Sequence, residues 1–145
     1  MFKNILLPTD GSEQSLRAAQ LGIALAKSLG ARVHAYHVLA PLAAVAHFSD
    51  LIRHAPDDYH HHAIGRAQRK LDQVRALAEQ EGVPFEGDYA FDQRPYTAIL
   101  GAARRYDCDL IVMGTHGRTG LDRVVLGSET NKVLGCADIP VLVCR

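Results

Sequence analysis

The sequence predicts a doubly wound α/β domain: a single five-stranded parallel sheet with helices on both faces, spanning residues 1–145. Three observations predict it. Short branched apolar runs alternate with longer stretches of helical periodicity, and that alternation implies right-handed crossovers and a covered parallel sheet. Glycine or proline stands where helices must stop, at Gly30, Gly82 and Pro84. The stretch Asp109 to Ser128 begins as a buried-strand run, breaks into glycines and restarts as a helix. Sheets of this kind bind ligands in such a loop, beyond the carboxyl ends of their strands.

Taken in order, Phe2 to Leu7 reads as the first strand, broken by Pro8-Thr9-Asp10-Gly11-Ser12. Asp10 with Glu13 three residues later resembles a capping arrangement, so the first helix begins there. Leu16, Ala19, Ile23 and Ala26 repeat at helical spacing up to Gly30. Arg32 to Leu39 is the second strand. A long connection, Leu42 to Asp58, precedes a second helix whose stripe is Ile64, Ala67, Leu71, Val74 and Ala78. Phe85 to Phe91 is the third strand, with Phe85, Gly87, Tyr89 and Phe91 on one face. Pro95 starts a third helix. A strand from Asp109, the glycine loop, a fourth helix from Gly127-Ser128 to about Leu134 and a strand Ile139 to Cys144 complete the chain.

Composition narrows the function. Lys+Arg and Asp+Glu both number 16, so no overall field draws the chain to nucleic acid or to an acidic membrane. No apolar run reaches spanning length, and no cleavage-site pattern follows the N-terminus, so neither a membrane span nor a signal peptide is expected. Three cysteines, Cys108, Cys136 and Cys144, lack Cys-x-x-Cys spacing. They point to buried thiols in a reducing compartment, with the cytoplasm as the default.

The chemistry concentrates in Gly114-x-x-Gly117 and, after nine residues, Gly127-Ser128. Glycines let backbone N–H groups turn toward an anion, and the first turn of a helix adds unpaired N–H groups and the positive end of its dipole. The spacing is neither the P-loop pattern nor the dinucleotide Gly-x-Gly-x-x-Gly fingerprint. On spacing alone, a plain loop serves equally well, with Ser128 as N-cap and the glycines supplying positive φ. No nucleophile with a partner accompanies the loop, so an acyl-transfer enzyme is not supported.

These residues, with Lys3-Asn-Ile-Leu-Leu-Pro-Thr-Asp10-Gly-Ser12-Glu at the start, Ala98-Ile-Leu, Gly117-Arg-Thr-Gly120 and Ile139-Pro-Val-Leu-Val at the end, resemble the universal stress protein family in its ATP-binding branch. Only the middle, roughly Leu39 to His62, lies outside the likeness. The resemblance implies a Rossmann-like sheet of strand order 3-2-1-4-5, which sets the loops after Asp10 and Gly114 face to face. It implies that the phosphates of ATP, with Mg²⁺, meet Gly114, His116, Gly117, Arg118, Gly127, Ser128, Glu129 and Thr130. Pro8, Thr9 and Asp10 would meet the adenosine end, Asp10 through a ribose hydroxyl. The Val38 backbone would meet the adenine edge, and Met113 would line the same pocket. Arg118 and Arg123 are candidates to offset phosphate charge. The resemblance further implies a homodimer through the last strand. It implies a role as a nucleotide-dependent stress sensor or adaptor, with a slow ATPase or a nucleotide-free interaction module as the alternatives.

Two features stand apart. Glu129 replaces the family's usual small or apolar residue after Gly-Ser. It is expected to share Mg²⁺ with the phosphates or to weaken triphosphate binding, because a residue beside Ser128 has little room to leave the loop. His54, Asp57, Asp58, His60, His61 and His62 form the densest ligand cluster, read as an exposed polar helix entrance rather than a metal site, since one Asp and one His per face do not close a zinc site.

Overall fold

The computed structural model describes residues 1–45, 55–115 and 126–145. Its order is β1 (Asn4–Pro8), α1 (Glu13–Leu29), β2 (Arg32–Leu39), α2 (Leu42–Val45), α3 (Pro56–Glu81), β3 (Phe85–Phe91), α4 (Pro95–Arg105), β4 (Leu110–Gly114), α5 (Ser128–Cys136) and β5 (Val141–Cys144). The strands form one sheet in the order β3-β2-β1-β4-β5, and every pairing is parallel. That is the predicted architecture and strand order.

Alternation along the strands builds two cores. Ile5, Leu7, Val33, Ala35, Leu110 and Val112 face α1 and α3, where they meet Ala19, Ile23, Ala26, Leu71, Val74 and Ala78. The intervening Leu6, Tyr36, Ile111 and Met113 face α4 and α5, meeting Ile99, Ala102, Ala103 and Val133. Helix α1 sits close to the sheet because of Gly22, where a Cβ would lie 2.4 Å from Leu7 Cδ2 and 3.4 Å from Val112. Gly30 and Gly82 end α1 and α3 in the left-handed region, at φ 66° and 67°. Their amides return to carbonyls of the last turn, as a glycine C-cap does.

Several boundaries differ from the sequence reading. Pro8 is the last residue of β1 rather than its breaker, since it needs no amide donor at the strand's end. Ser12, not Asp10, caps α1: its side chain accepts from the Ser15 amide at 3.2 Å. Asp10 accepts instead from the Ser12 amide at 2.8 Å, which is an Asx turn leading into the cap. Helix α3 begins at Pro56, with proline in its first turn, so Asp57, Asp58 and His60 to His62 are helical. Residues 42–45 form a short extra helix. Ile64 is only half-buried, and Ala63 takes its place in the stripe. Of the three thiols only Cys108 is buried, while Cys136 is exposed and Cys144 intermediate.

Candidate nucleotide site

The strand order reverses between β1 and β4, which pair through Ile5↔Leu110 and Leu6↔Ile111. The chain leaves β1 toward β2 on one side and leaves β4 toward β5 on the other. In doubly wound sheets such a reversal marks the place of the ligand crevice, beyond the carboxyl ends of the strands. On one side of it stands the turn Thr9–Ser12, and on the other Thr115 and the start of α5.

The β1 side is a network of satisfied polar groups. Thr9 is buried, and its amide donates to the carbonyl of Tyr36 at 2.9 Å. The Thr9 carbonyl lies 2.7 Å from Nδ1 of the buried His37. Ser15 Oγ lies 3.0 Å from the Ser12 carbonyl and 3.2 Å from Thr9 Oγ1, a hydroxyl pair in which either side chain can donate. The Gly11 amide then donates to Thr9 Oγ1 at 3.2 Å. Gly11 has φ +78°, and a Cβ there would lie 2.9 Å from Cγ of Lys70, whose stem crosses the turn. Partial burial opposes the charge of Asp10. Hydrogen bonds from the Ser12 side chain and backbone and from Ser15 outweigh it and hold the carboxyl below its usual range. The turn therefore presents an ionised carboxylate with acceptor capacity beyond the Ser12 bond.

On the β4 side, Gly114 is buried, and a Cβ on it would lie 3.2 Å from the backbone oxygen of Gln14 in α1. Glycine is required here by close approach of α1 rather than by positive φ. Thr130 is buried, and its hydroxyl donates to the carbonyl of Gly114 at 3.0 Å. The Gly127 amide donates to the Thr115 carbonyl at 2.6 Å. These two bonds fix the start of α5 against the end of β4. Gly127, not Ser128, occupies the N-cap, with φ −58° and ψ 151° and no side-chain cap bond. Ser128 is the exposed first residue of the helix. The plain-loop alternative, with positive φ at the glycines and Ser128 as the cap, does not describe Gly114, Gly127 or Ser128. An N-cap without a side chain leaves the helix's leading amides clear of a capping oxygen.

Glu129 has the room that the sequence reading denied it. Its Oε2 accepts from the Tyr96 amide in the first turn of α4 at 2.9 Å, and Oε1 lies 3.1 Å from Lys132 Nζ. Met113 is buried among Leu6, Tyr36 and Ile111, and Val38 is partly buried beside the same cluster. His116, Gly117, Arg118, Gly120 and Arg123 lie outside the described residues, as does His54. The structure thus brings Pro8, Thr9, Asp10, Gly114, Gly127, Ser128 and Thr130 to the ends of neighbouring strands. Sequence reasoning missed His37. Its alternation within a β-run made it look like one more sheet residue.

Asp57, Asp58, His61 and His62 are exposed, and the His60 ring meets Phe91 edge-on at 5.2 Å. Among the described residues no group of three or more His, Cys, Asp or Glu is placed to hold a metal ion. No helix among them is long and apolar enough to cross a membrane.

The chain is thus a doubly wound parallel sheet with a polar turn and a glycine-started helix at its switch point, the place where sheets of this kind take ligands. The model of the universal stress protein family matches residues 1–145, and the chain belongs to that family. A universal stress protein from Thermus aquaticus is 37% identical over the full length of both chains. Among solved structures, MJ0577 of Methanocaldococcus jannaschii superposes with a TM-score of 0.84 at 26% identity, covering 99% of this chain and 95% of that one. The universal stress protein of Archaeoglobus fulgidus, solved in complex with dAMP, superposes at 0.70 and 18% identity, over 100% and 98% of the two chains, and shares the fold.

Proposed function

We propose that the protein binds an adenine nucleotide, ATP with Mg²⁺, in the crevice between the ends of β1 and β4, and acts as a nucleotide-dependent sensor or adaptor in a stress response. The observation that carries the reading is the pairing of an ionised Asp10 with the uncapped start of α5 across the strand-order reversal. A carboxylate suits ribose hydroxyls, and helix amides suit phosphate. Supporting it are the family membership and the relative solved with dAMP. Pro8, Thr9, Val38 and Met113 would enclose the adenosine end. Gly114, Gly127, Ser128 and Thr130 would form the phosphate end, together with His116, Gly117 and Arg118. Mg²⁺ keeps most of its waters and needs few protein ligands, so it would arrive with the phosphates. The protein would work in the cytoplasm as a homodimer paired through β5, without nucleic acid or membrane partners.

Native mass spectrometry of freshly purified protein tests this reading. The expected spectrum is a dimer carrying adenine nucleotide. A protein that stays bare after incubation with millimolar ATP and Mg²⁺ would contradict it.

A further inference from the structure

We propose that His37 is a positioning residue of the nucleotide site, acting through the Thr9 carbonyl to aim the Asp10 carboxylate at the ribose. The inference rests on the reading of Asp10 given above and extends it to a residue on the neighbouring strand. The register of β1 on β2 ends at Pro8↔Tyr36. Thr9 is the first residue beyond it, yet β2 grips its peptide groups on both sides. Its amide donates to the Tyr36 carbonyl at 2.9 Å, and its carbonyl lies 2.7 Å from His37 Nδ1. A carbonyl only accepts, so Nδ1 carries the proton and the tautomer is fixed. The imidazole thus replaces the next rung of the ladder, and that rung holds the peptide that leads into Asp10.

The rest of the turn hangs from helix α1. Thr9 Oγ1 hydrogen-bonds with Ser15 Oγ and accepts from the Gly11 amide, and Asp10 Oδ1 accepts from the Ser12 amide. Asp10 lies between the His37 anchor on the sheet and the Ser15 anchor on the helix. Both His37 and Thr9 are about 5% exposed, so water does not take over the bond if the donor is removed. A small displacement of a positioning contact weakens a directed hydrogen bond at the ligand more than it weakens the fold.

The test compares ATP with 2′,3′-dideoxy-ATP by calorimetry, because only ATP offers the hydroxyls that Asp10 would bind. One hydrogen bond to a charged group sets a preference of about tenfold or more for ATP in the parent protein. Asp10→Ala is expected to abolish the preference. His37→Leu fills the space of the ring without a donor and is expected to reduce it to about twofold or less. His37→Asn places an amide N–H where Nδ1 stands and is expected to keep it. If the leucine variant does not fold, His37→Gln, whose amide lies one bond too far, takes its place. A purely structural role would lower the melting temperature of the variants and leave the ratio of the two affinities unchanged, and that result overturns the proposal. Equal affinities in the parent overturn the Asp10 reading and this proposal with it. Loss of the preference in Asp10→Ala but not in His37→Leu or His37→Gln overturns this proposal alone.

Discussion

Asp10 makes the electrostatics of the β1 turn measurable. Its folded pKa lies below the ordinary value of 3.8, because hydrogen bonds from Ser12 and Ser15 outweigh the cost of burial. A carboxylate with a depressed pKa stabilises the fold above its unfolded value, and that contribution is lost as pH falls through the folded value. Urea unfolding of the parent and of Asp10→Asn should show the parent more stable at pH 6, with the gap narrowing below about pH 4. A gap independent of pH would contradict the account. Asp10 was a candidate from the sequence, but its bonding was not legible there. A short acidic side chain two residues before a serine can cap a helix or form a turn, and the spacing of Asp10, Ser12 and Glu13 permits both. His37 was illegible for a different reason. Its role arises from contact with a residue 28 positions away, which no local pattern encodes.

At the scale of elements, α4 shows how a helix start can be completed from outside its own sequence. Arg94 at its N-cap makes no side-chain cap bond, and Pro95 supplies the fixed φ of the first turn but no amide. The Glu129 carboxylate, 33 residues away in α5, accepts from the Tyr96 amide and sets a negative charge at the positive end of the α4 dipole. Lys132 lies over the Tyr96 ring at 5.5 Å and pairs with the same carboxylate, which closes the contact between the two helices. Glu129→Val should therefore destabilise the protein by about 1–2 kcal/mol, the usual effect of losing an N-cap. Chemical denaturation of the two proteins measures it, and equal stabilities would show that the contact contributes nothing. In the sequence Glu129 read as a charge beside phosphates, because adjacency to Ser128 was visible and the facing helix was not. The five strands and the four longer helices, by contrast, were legible, and only the short helix at residues 42–45 was missed among the described residues. β2 and β3 begin and end where the sequence reading placed them, because the Gly and Pro residues near their ends leave little choice.

For the whole molecule, β5 is an edge strand of the sheet among the described residues, with Leu142 38% exposed. The amides of Ile111 in β4 and of Thr115 just after it donate to the carbonyls of Pro140 and Cys144. By the two-residue period, Leu142 also bonds toward β4, and Val141 and Val143 turn their backbone groups outward. Proline at 142 would damage the sheet itself. Val143→Pro removes an outward amide and leaves the β4 ladder intact. If copies pair through this edge, light scattering should show a folded monomer in place of the dimer. A folded dimer in that variant would place the interface elsewhere. The alternation of strands and helices indicated a covered parallel sheet, but the strand order came from the family resemblance, and it places the switch point on which the functional reading depends.

Gly127 offers the most direct test of that reading. Its backbone, at φ −58° and ψ 151°, is one that any residue adopts, so a side chain there brings no backbone strain. Gly127→Val should still fold, with a melting temperature lowered by about the usual difference between glycine and valine at an N-cap. The added side chain would stand at the helix start where phosphate oxygens have to approach the amides. Calorimetric titration of ATP with Mg²⁺ into both proteins decides the point. The account predicts clear binding by the parent and a loss of at least about tenfold in the folded variant, equivalent to about 1.4 kcal/mol. Equal affinity in the folded Gly127→Val protein would place the nucleotide away from the β1–β4 crevice and contradict the central claim.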